Sequence, residues 1–321
     1  SVVDASNDEV IFTSGATESN NIAIFGLAPH GEAQNRRHIV TTAIEHKAVL
    51  EPLEALQRRG FSVSYIKPRD GGAVSAEDVE AALRPDTLLV SIMHVNNETG
   101  ACQPIREIAD GLRDHEAYLH IDSAQGYGKE LAALRDQRID LISVSGHKVY
   151  APVGVGALIA RKRGFKRPPL NPITYGGGQE RGLRPGTLAV PLIVGLGEAA
   201  RLAVQNNEQR RARCLAIREQ ALAALQPLGF RLHTAPDITA PHVLNLSVPG
   251  VDSEAVMVAL KDVAAVSNGS ACTSQSYTPS HVLEAMNLPT EAISGAIRIS
   301  WSHLTPDFDW AEVCRRIEAL A

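Results

Sequence analysis

Asp140-Leu-Ile-Ser-Val-Ser-Gly-His-Lys148 reads as a short buried strand, 141–144, that runs into a polar turn and ends on a lysine. A lysine at the C-terminal end of a parallel strand lies where open α/β sheets bind ligands. Its neighbours Ser145, Gly146 and His147 are small or hydrogen-bonding, which suits a cofactor. From this segment alone, a surface lysine after a strand is the simpler reading. The rest of the chain changes that balance.

Working outward, the pattern predicts strands over 10–13, 39–43, 61–66, 87–95, 118–121 and 155–160. Helices are predicted up to residue 27 and over 48–59, 75–83 and 104–115. The run 87–95 is continuously apolar, as in a sheet covered on both faces. Strands alternating with helices mean a mostly parallel sheet. Thr17, His46, Asn97, Asp122, Gln125 and Lys148 each follow a strand's C-terminal end. Six such residues on one edge of one sheet are hard to explain as unrelated loop residues.

A long helix is predicted over 190–225, leading to a second, smaller domain. There the pattern gives strands over 230–233, 242–248, 263–266 and 296–301. Helices fall at 253–260, 281–286 and 309–320. The expected division is a large domain over 1–200 and a small one over 201–321. The basic run 161–167 reads as a solvated loop and not as a nucleic-acid surface. Gly176-Gly-Gly-Gln-Glu-Arg-Gly-Leu-Arg-Pro-Gly-Thr187 is a glycine-rich loop able to contact phosphate or a neighbouring subunit.

The net charge of −5 and a pI near 6.1 leave no electrostatic footprint for direct nucleic-acid or anionic-membrane binding. No apolar run approaches the roughly 18 residues that span a bilayer. Cys102, Cys214, Cys272 and Cys314 form no CxxC pair and no zinc spacing, so a reducing, cytoplasmic home is expected. No metal site is expected. The sequence opens at Ser1 without Met, and an N-terminal portion is expected to lie outside it.

A lysine that forms a Schiff base and a carboxylate that pairs with a pyridinium nitrogen are the minimal equipment for pyridoxal 5'-phosphate. Lys148 and Asp122 are placed for those roles. Taken singly, Asp122 also fits a turn or cap. Ser14-Gly-Ala-Thr-Glu-Ser-Asn-Asn21 opens a helix where phosphate could bind. An ordinary N-cap by Ser14 or Thr17 is equally consistent. Cys272 sits among small polar residues, unlike Cys314 within its helix; that setting allows a reactive thiol, although from the residues alone a structural cysteine is the simpler reading.

Those motifs, with Glu45-His-Lys47, Val95-Asn-Asn-Glu98, Gly176-Gly-Gly-Gln-Glu180 and Gly269-Ser-Ala-Cys-Thr-Ser274, resemble the cysteine desulfurases of the NifS/IscS type. The resemblance covers essentially the whole chain, in order. It implies an α/β fold-type I pyridoxal-phosphate transferase. Such a fold has a mostly parallel seven-stranded sheet with helices on both faces and a smaller α+β C-terminal domain. Lys148 would anchor the cofactor and Asp122 would hold its ring nitrogen. Gln125 and Asn97 would meet the 3-hydroxyl, and His46 would stack on the ring and act as an acid or base. Ala16, Thr17, Ser145 and His147 would bind the phosphate. Thr187 would reach the partner subunit's cofactor, which makes the enzyme a homodimer. Arg298, with Asn97, would bind the carboxylate of L-cysteine. Cys272 would take sulfur as a persulfide, leaving L-alanine, and pass it to an acceptor protein.

Iron–sulfur cluster assembly and DNA phosphorothioation are the implied destinations. The Ser300-Trp-Ser-His303 stretch resembles the phosphorothioation branch. The chain departs from the family at Ala151, Val153, Pro185 and His303, and the family's N-terminal Asp-Asn-Ala-Ala-Thr-Thr-like segment is not in it. A selenocysteine lyase, another class V aminotransferase-like enzyme and a non-catalytic sulfur-relay scaffold are the competing readings.

Overall fold

Short apolar runs of Val, Ile and Leu, each closed by a polar turn, give the first part of the chain its alternation. The computed structural model describes residues 2–268 and 279–321. In chain order come β1 (Val10–Thr13), α1 (Ala16–Ala33), β2 (His38–Thr42), α2 (Lys47–Gln57), β3 (Ser62–Ile66) and α3 (Ala76–Ala81). Then follow β4 (Thr87–Met93), α4 (Ile105–Gly111), β5 (Tyr118–Asp122), β6 (Leu141–Ser145), β7 (Gly156–Ala160) and α5 (Val190–Gln205).

These strands form a seven-stranded sheet in the order β1-β7-β6-β5-β4-β2-β3. β3, β2, β4, β5 and β6 are mutually parallel, while β7 runs antiparallel to both β6 and β1. The C-terminal ends of all strands but β7 therefore share one edge. β4 is buried along its whole length, as its apolar run required. One face packs Ile39, Leu89 and Leu141 against Ile22, Leu27 and Leu53 of α1 and α2. The other packs Val90, Ile121 and Val144 against Ile108 of α4, Leu112 at its C-terminal cap and Leu196 of α5.

β1 is an edge strand, and an open edge must be covered. The glycine-rich loop does this. Glu180 accepts the Phe12 N–H at 2.8 Å, and Arg181 donates to the Val10 carbonyl at 2.8 Å. Both residues adopt left-handed φ values, 48° and 59°. A third contact, Arg184 Nε to Glu18 Oε1 at 2.9 Å, ties the loop to α1.

The chain forms two compact units, and the division differs from the expected 200/201 boundary. The first comprises Ser1–Ile66, Val74–Val95 and Gln103–Asn207; the second comprises Lys67–Ala73, Asn96–Cys102 and Glu208–Ala321. The predicted 190–225 helix is two helices, α5 and α6 (Asn207–Leu225), divided at Asn206. The Asn207 amide turns aside there to the carbonyls of Gly128 and Lys129, a side-chain alternative to helix continuation.

The second unit adds β8 (Arg231–Leu232), β9 (Val243–Ser247), α7 (Ser253–Ala259), β10 (Ser267–Asn268), α8 (His281–Ala285), α9 (Thr290–Ser294), β11 (Ile297–Ser300) and α10 (Trp310–Glu318). Its antiparallel sheet has the order β10-β11-β9-β8. Leu244, Leu246 and Ile299 pack on Ile217, Ala221 and Ile317. The strand predicted over 263–266 is absent there. The N–H groups of Val263 and Ala264 bond back to Leu260, and pairing begins only at Ser267. The short α9 was not foreseen.

Residues 163–167 of the basic run are exposed, as a solvated loop requires, but Arg161 at its start is not. Arg161 is buried and donates to the carbonyls of Val3, Leu134, Asp136 and Ile139. Asp140, also buried, accepts from the Leu119 N–H, from Arg138 and from Nε and Nη2 of Arg163. Removing a buried partner leaves the remaining charges uncompensated. Asp140→Ala should therefore lower unfolding stability by about 3 kcal/mol, read as a drop in the urea midpoint. A change below about 1 kcal/mol would mean that water replaces the carboxylate.

Candidate active site

β5 ends on Asp122, only 5 % exposed. Its Oδ1 accepts the Ala124 N–H at 2.9 Å, and its Oδ2 accepts Asn20 Nδ2–H at 2.8 Å from α1. Burial raises its pKa, and the two hydrogen bonds and the charge of nearby His46 oppose that rise. Gln125 follows three residues later and is half-buried.

His46 follows β2 and caps α2: its Nδ1 accepts the Ala48 N–H at 3.1 Å. An acceptor nitrogen carries no proton, so the neutral ring has its proton on Nε2. Glu45 beside it is fully buried. Its Oε1 accepts from Thr42 Oγ1 at 2.7 Å and from the Met93 N–H at 2.8 Å, joining the end of β2 to the end of β4. Burial pushes the Glu45 carboxyl up to about 8, and the Asp122 charge acts in the same direction. His94, at the end of β4, is held down to about 4 by burial, and its Nδ1 meets Ser123 Oγ at 3.2 Å.

Beneath these residues a polar ladder crosses the buried face of three strands. Ser91 Oγ meets His120 Nδ1 at 2.8 Å, and His120 Nε2 meets Ser143 Oγ at 2.9 Å. Burial lowers His120 to about 3, so the ring stays neutral.

α1 begins at Ala16 after Gly15, which has no side chain to cap it. Neither Ser14 nor Thr17 is its N-cap, so the cap reading is not borne out. A Cβ on Gly156 would stand 2.6 Å from Gly15 Cα and 2.4 Å from the Val144 carbonyl. Glycine there lets β7 touch the turn that opens α1. On the neighbouring strand, Ser145 Oγ lies 3.2 Å from His147 Nδ1. Partial burial and then the adjacent Lys148 charge keep His147 below its ordinary pKa. Lys148 sits in a single 3-10 turn, Gly146–Val149, closed by Tyr150 at φ 70°. Lys148, His147 and Thr17 are exposed, and Ala16 is half-buried.

The first unit thus assembles Ala16, Thr17, His46, Asp122, Gln125, Ser145, His147 and Lys148 at the strand ends of one sheet. Thr187, also in this unit, is exposed and ends the glycine-rich loop. Asn97 and Arg298 belong to the second unit, where Arg298 Nη1 donates to the Asn97 carbonyl at 2.9 Å. The stretch 96–102 is bound into that unit by Asn245 Nδ2 on the Glu98 carbonyl and by Thr234 Oγ1 on the Thr99 carbonyl. Cys272 lies outside the described residues. Sequence reasoning missed Asn20 and Glu45, although both stand inside motifs it quoted; an amide or acid in the middle of a buried helix or turn was the available signal.

Residues 1–309 match the aminotransferase class-V family. This chain belongs to that family. It is 43 % identical over 319 residues to the mitochondrial cysteine desulfurase of Arthroderma benhamiae, covering 99 % of this chain and 63 % of that protein. It is 45 % identical over 325 residues to the cysteine desulfurase IscS of Stutzerimonas stutzeri, covering 99 % and 79 %. The chain thus spans less than two thirds of the fungal relative and about four fifths of the bacterial one. The crystal structure of DndA from Streptomyces lividans superposes with a TM-score of 0.85 at 54 % identity, over 94 % of this chain and 85 % of that one.

The class-V assignment agrees with the donor set. A buried carboxylate with lone pairs left over suits a protonated ring nitrogen. An uncapped helix start beside Ser145 and His147 suits a phosphate. Among the described residues no cluster of His, Cys, Asp or Glu is arranged to hold a metal ion, and no helix is long and apolar enough to cross a membrane.

Glu45 gives this site a pH signature. Its folded pKa, about 8, lies above its ordinary value of 4.5. The folded chain therefore keeps a proton that the unfolded chain releases, and stability falls as pH rises through that window. Glu45→Gln keeps the two acceptor contacts and removes the titration. Its urea midpoint should exceed the wild-type midpoint at about pH 9 by more than at about pH 5. Parallel midpoints at the two pH values would refute the assignment.

Proposed function

We propose that this chain is a pyridoxal-5'-phosphate-dependent cysteine desulfurase that moves the sulfur of L-cysteine onto Cys272. The observation that carries the reading is Asp122, buried at the strand edge and held as an acceptor in the same unit as Lys148 and His46. When bound, the cofactor supplies an electron sink for the substrate's α-carbon. Lys148 anchors it and moves the α-proton. His46 offers its ring face and its Nε2–H; a proton added at Nδ1 would displace the Ala48 hydrogen bond. Arg298 and Asn97 take the substrate carboxylate. The Cys272 thiolate forms an S–S bond to the substrate sulfur as the substrate's C–S bond breaks. The electron pair of that bond goes to carbon and is protonated, leaving L-alanine and a Cys272 persulfide, so no outside oxidant is needed.

The acceptor is a protein. Identity to DndA, at 54 %, exceeds the 45 % to the IscS protein, which favours the DNA phosphorothioation branch over iron–sulfur cluster assembly. We place the enzyme in the cytoplasm.

Incubation of the holoenzyme with radiolabelled cysteine tests the chemistry. Wild type should release alanine and retain label on the protein. Cys272→Ser should bind cofactor but retain no label, and Lys148→Ala should lose both alanine and label. Full-rate alanine from cysteine in Cys272→Ser would sink the desulfurase reading. Alanine formed only from selenocysteine would replace it with a lyase.

A homodimer completes the proposal, with Thr187 reaching the partner's cofactor. Val153, 80 % exposed, stands with Tyr150, Val190 and Val194 as exposed apolar side chains. Val190 and Val194 are one turn apart on α5, and the 152–154 turn packs on Leu192 and Gly195 of the same helix. An apolar patch of this kind marks an association surface. Val194→Glu should shift the sedimentation of the protein from dimer toward monomer. A wild type that sediments as a monomer would remove this part of the proposal.

A further inference from the structure

Asn20 stands on α1, just over one turn from its start, and is 0 % exposed. Its Nδ2 donates to Asp122 Oδ2 at 2.8 Å. Its Oδ1 is buried and has no hydrogen-bond partner among the described residues. Turning the amide over would bring Oδ1 against the Asp122 oxygen, so the carboxylate decides the orientation.

A buried polar atom left unsatisfied is destabilising, and an apolar side chain of the same shape would avoid it. Leucine has the same branched outline with bulkier apolar ends. An asparagine that leaves its own carbonyl unsatisfied is therefore explained by the donor it brings to Asp122. An amide N–H on Oδ2, like the Ala124 N–H on Oδ1, favours an oxygen that carries no proton. Glu45 and His46 are the other ionisable groups that act on Asp122. Glu45 acts against the Asp122 charge and His46 in its favour.

We propose that Asn20 is a positioning residue: its Nδ2–H holds Asp122 in place as an ionised acceptor for the ring nitrogen of the cofactor. This rests on the cofactor reading above. Asn20 touches neither substrate nor cofactor in this role and acts only through Asp122.

The test compares two cofactors on the full chain: pyridoxal 5'-phosphate and its carbocyclic analogue, in which a C–H replaces the ring nitrogen. Wild type should bind the natural cofactor more tightly. In Asn20→Leu that preference should fall about tenfold, the size expected for a charge-assisted hydrogen bond. Affinity for the analogue should stay near wild type. A packing role alone would weaken both ligands together and leave their ratio unchanged, so an unchanged ratio overturns the inference. Should Asn20→Leu fail to fold, Asn20→Ala removes the donor in a smaller side chain and should lower the ratio in the same direction; an unchanged ratio there also overturns it. If wild type itself binds both ligands equally, the cofactor reading fails, and this inference with it.

Discussion

A carboxylate taken out of water needs donors, and Asp122 finds them on two different elements. Ala124, in the turn after β5, supplies one; Asn20, on α1, supplies the other. That requirement couples the helix opening at the proposed phosphate end of the site to the strand that carries the acid. α1 must lie on this face of the sheet, packed through Ile22, Ala23 and Leu27, for Asn20 to reach. The same packing brings the uncapped start of α1 beside β7, where Gly156 allows close approach. One buried charge thus relates the two ends of the site.

The neighbouring groups lie in an environment of low polarity that keeps most of them neutral. His94 and His120 are held well below their ordinary values, and Glu45 well above its own. Each shift has the same first cause, loss of water. In the proposed reaction, Asp122 and Lys148 are the charges on which the chemistry turns. The neutral rings and the protonated acid serve as hydrogen-bonding struts between strand ends.

Much of the site was legible because parallel strands point their C-terminal ends the same way. Lys148, Asp122, His46 and Thr17 could be collected from strand boundaries without any contact map. Asn20 and Glu45 could not, because their importance lies in what a distant strand presents to them: Asp122 for one, Met93 N–H for the other. Arg161 misled for a similar reason. The first arginine of a basic run looks solvated until four carbonyls from two separate segments, Val3 and 134–139, converge on it. Asn97 was assigned to the sheet edge, yet its stretch is bound into the second unit by Asn245 and Thr234, residues far along the chain.

The sequence by itself determined the alternation of strand and helix, the edge on which the polar residues gather, and the chemical types offered there. These follow from periodicity and from residue chemistry, both local. Tertiary structure alone decided that β7 runs against its neighbours, that the glycine-rich loop covers the open edge of β1, and which proton His46 carries. It also decided that Asp122 has an amide partner. Each of those depends on where a second segment comes to rest, and the energy of a buried hydrogen bond is set by that meeting and not by either segment alone.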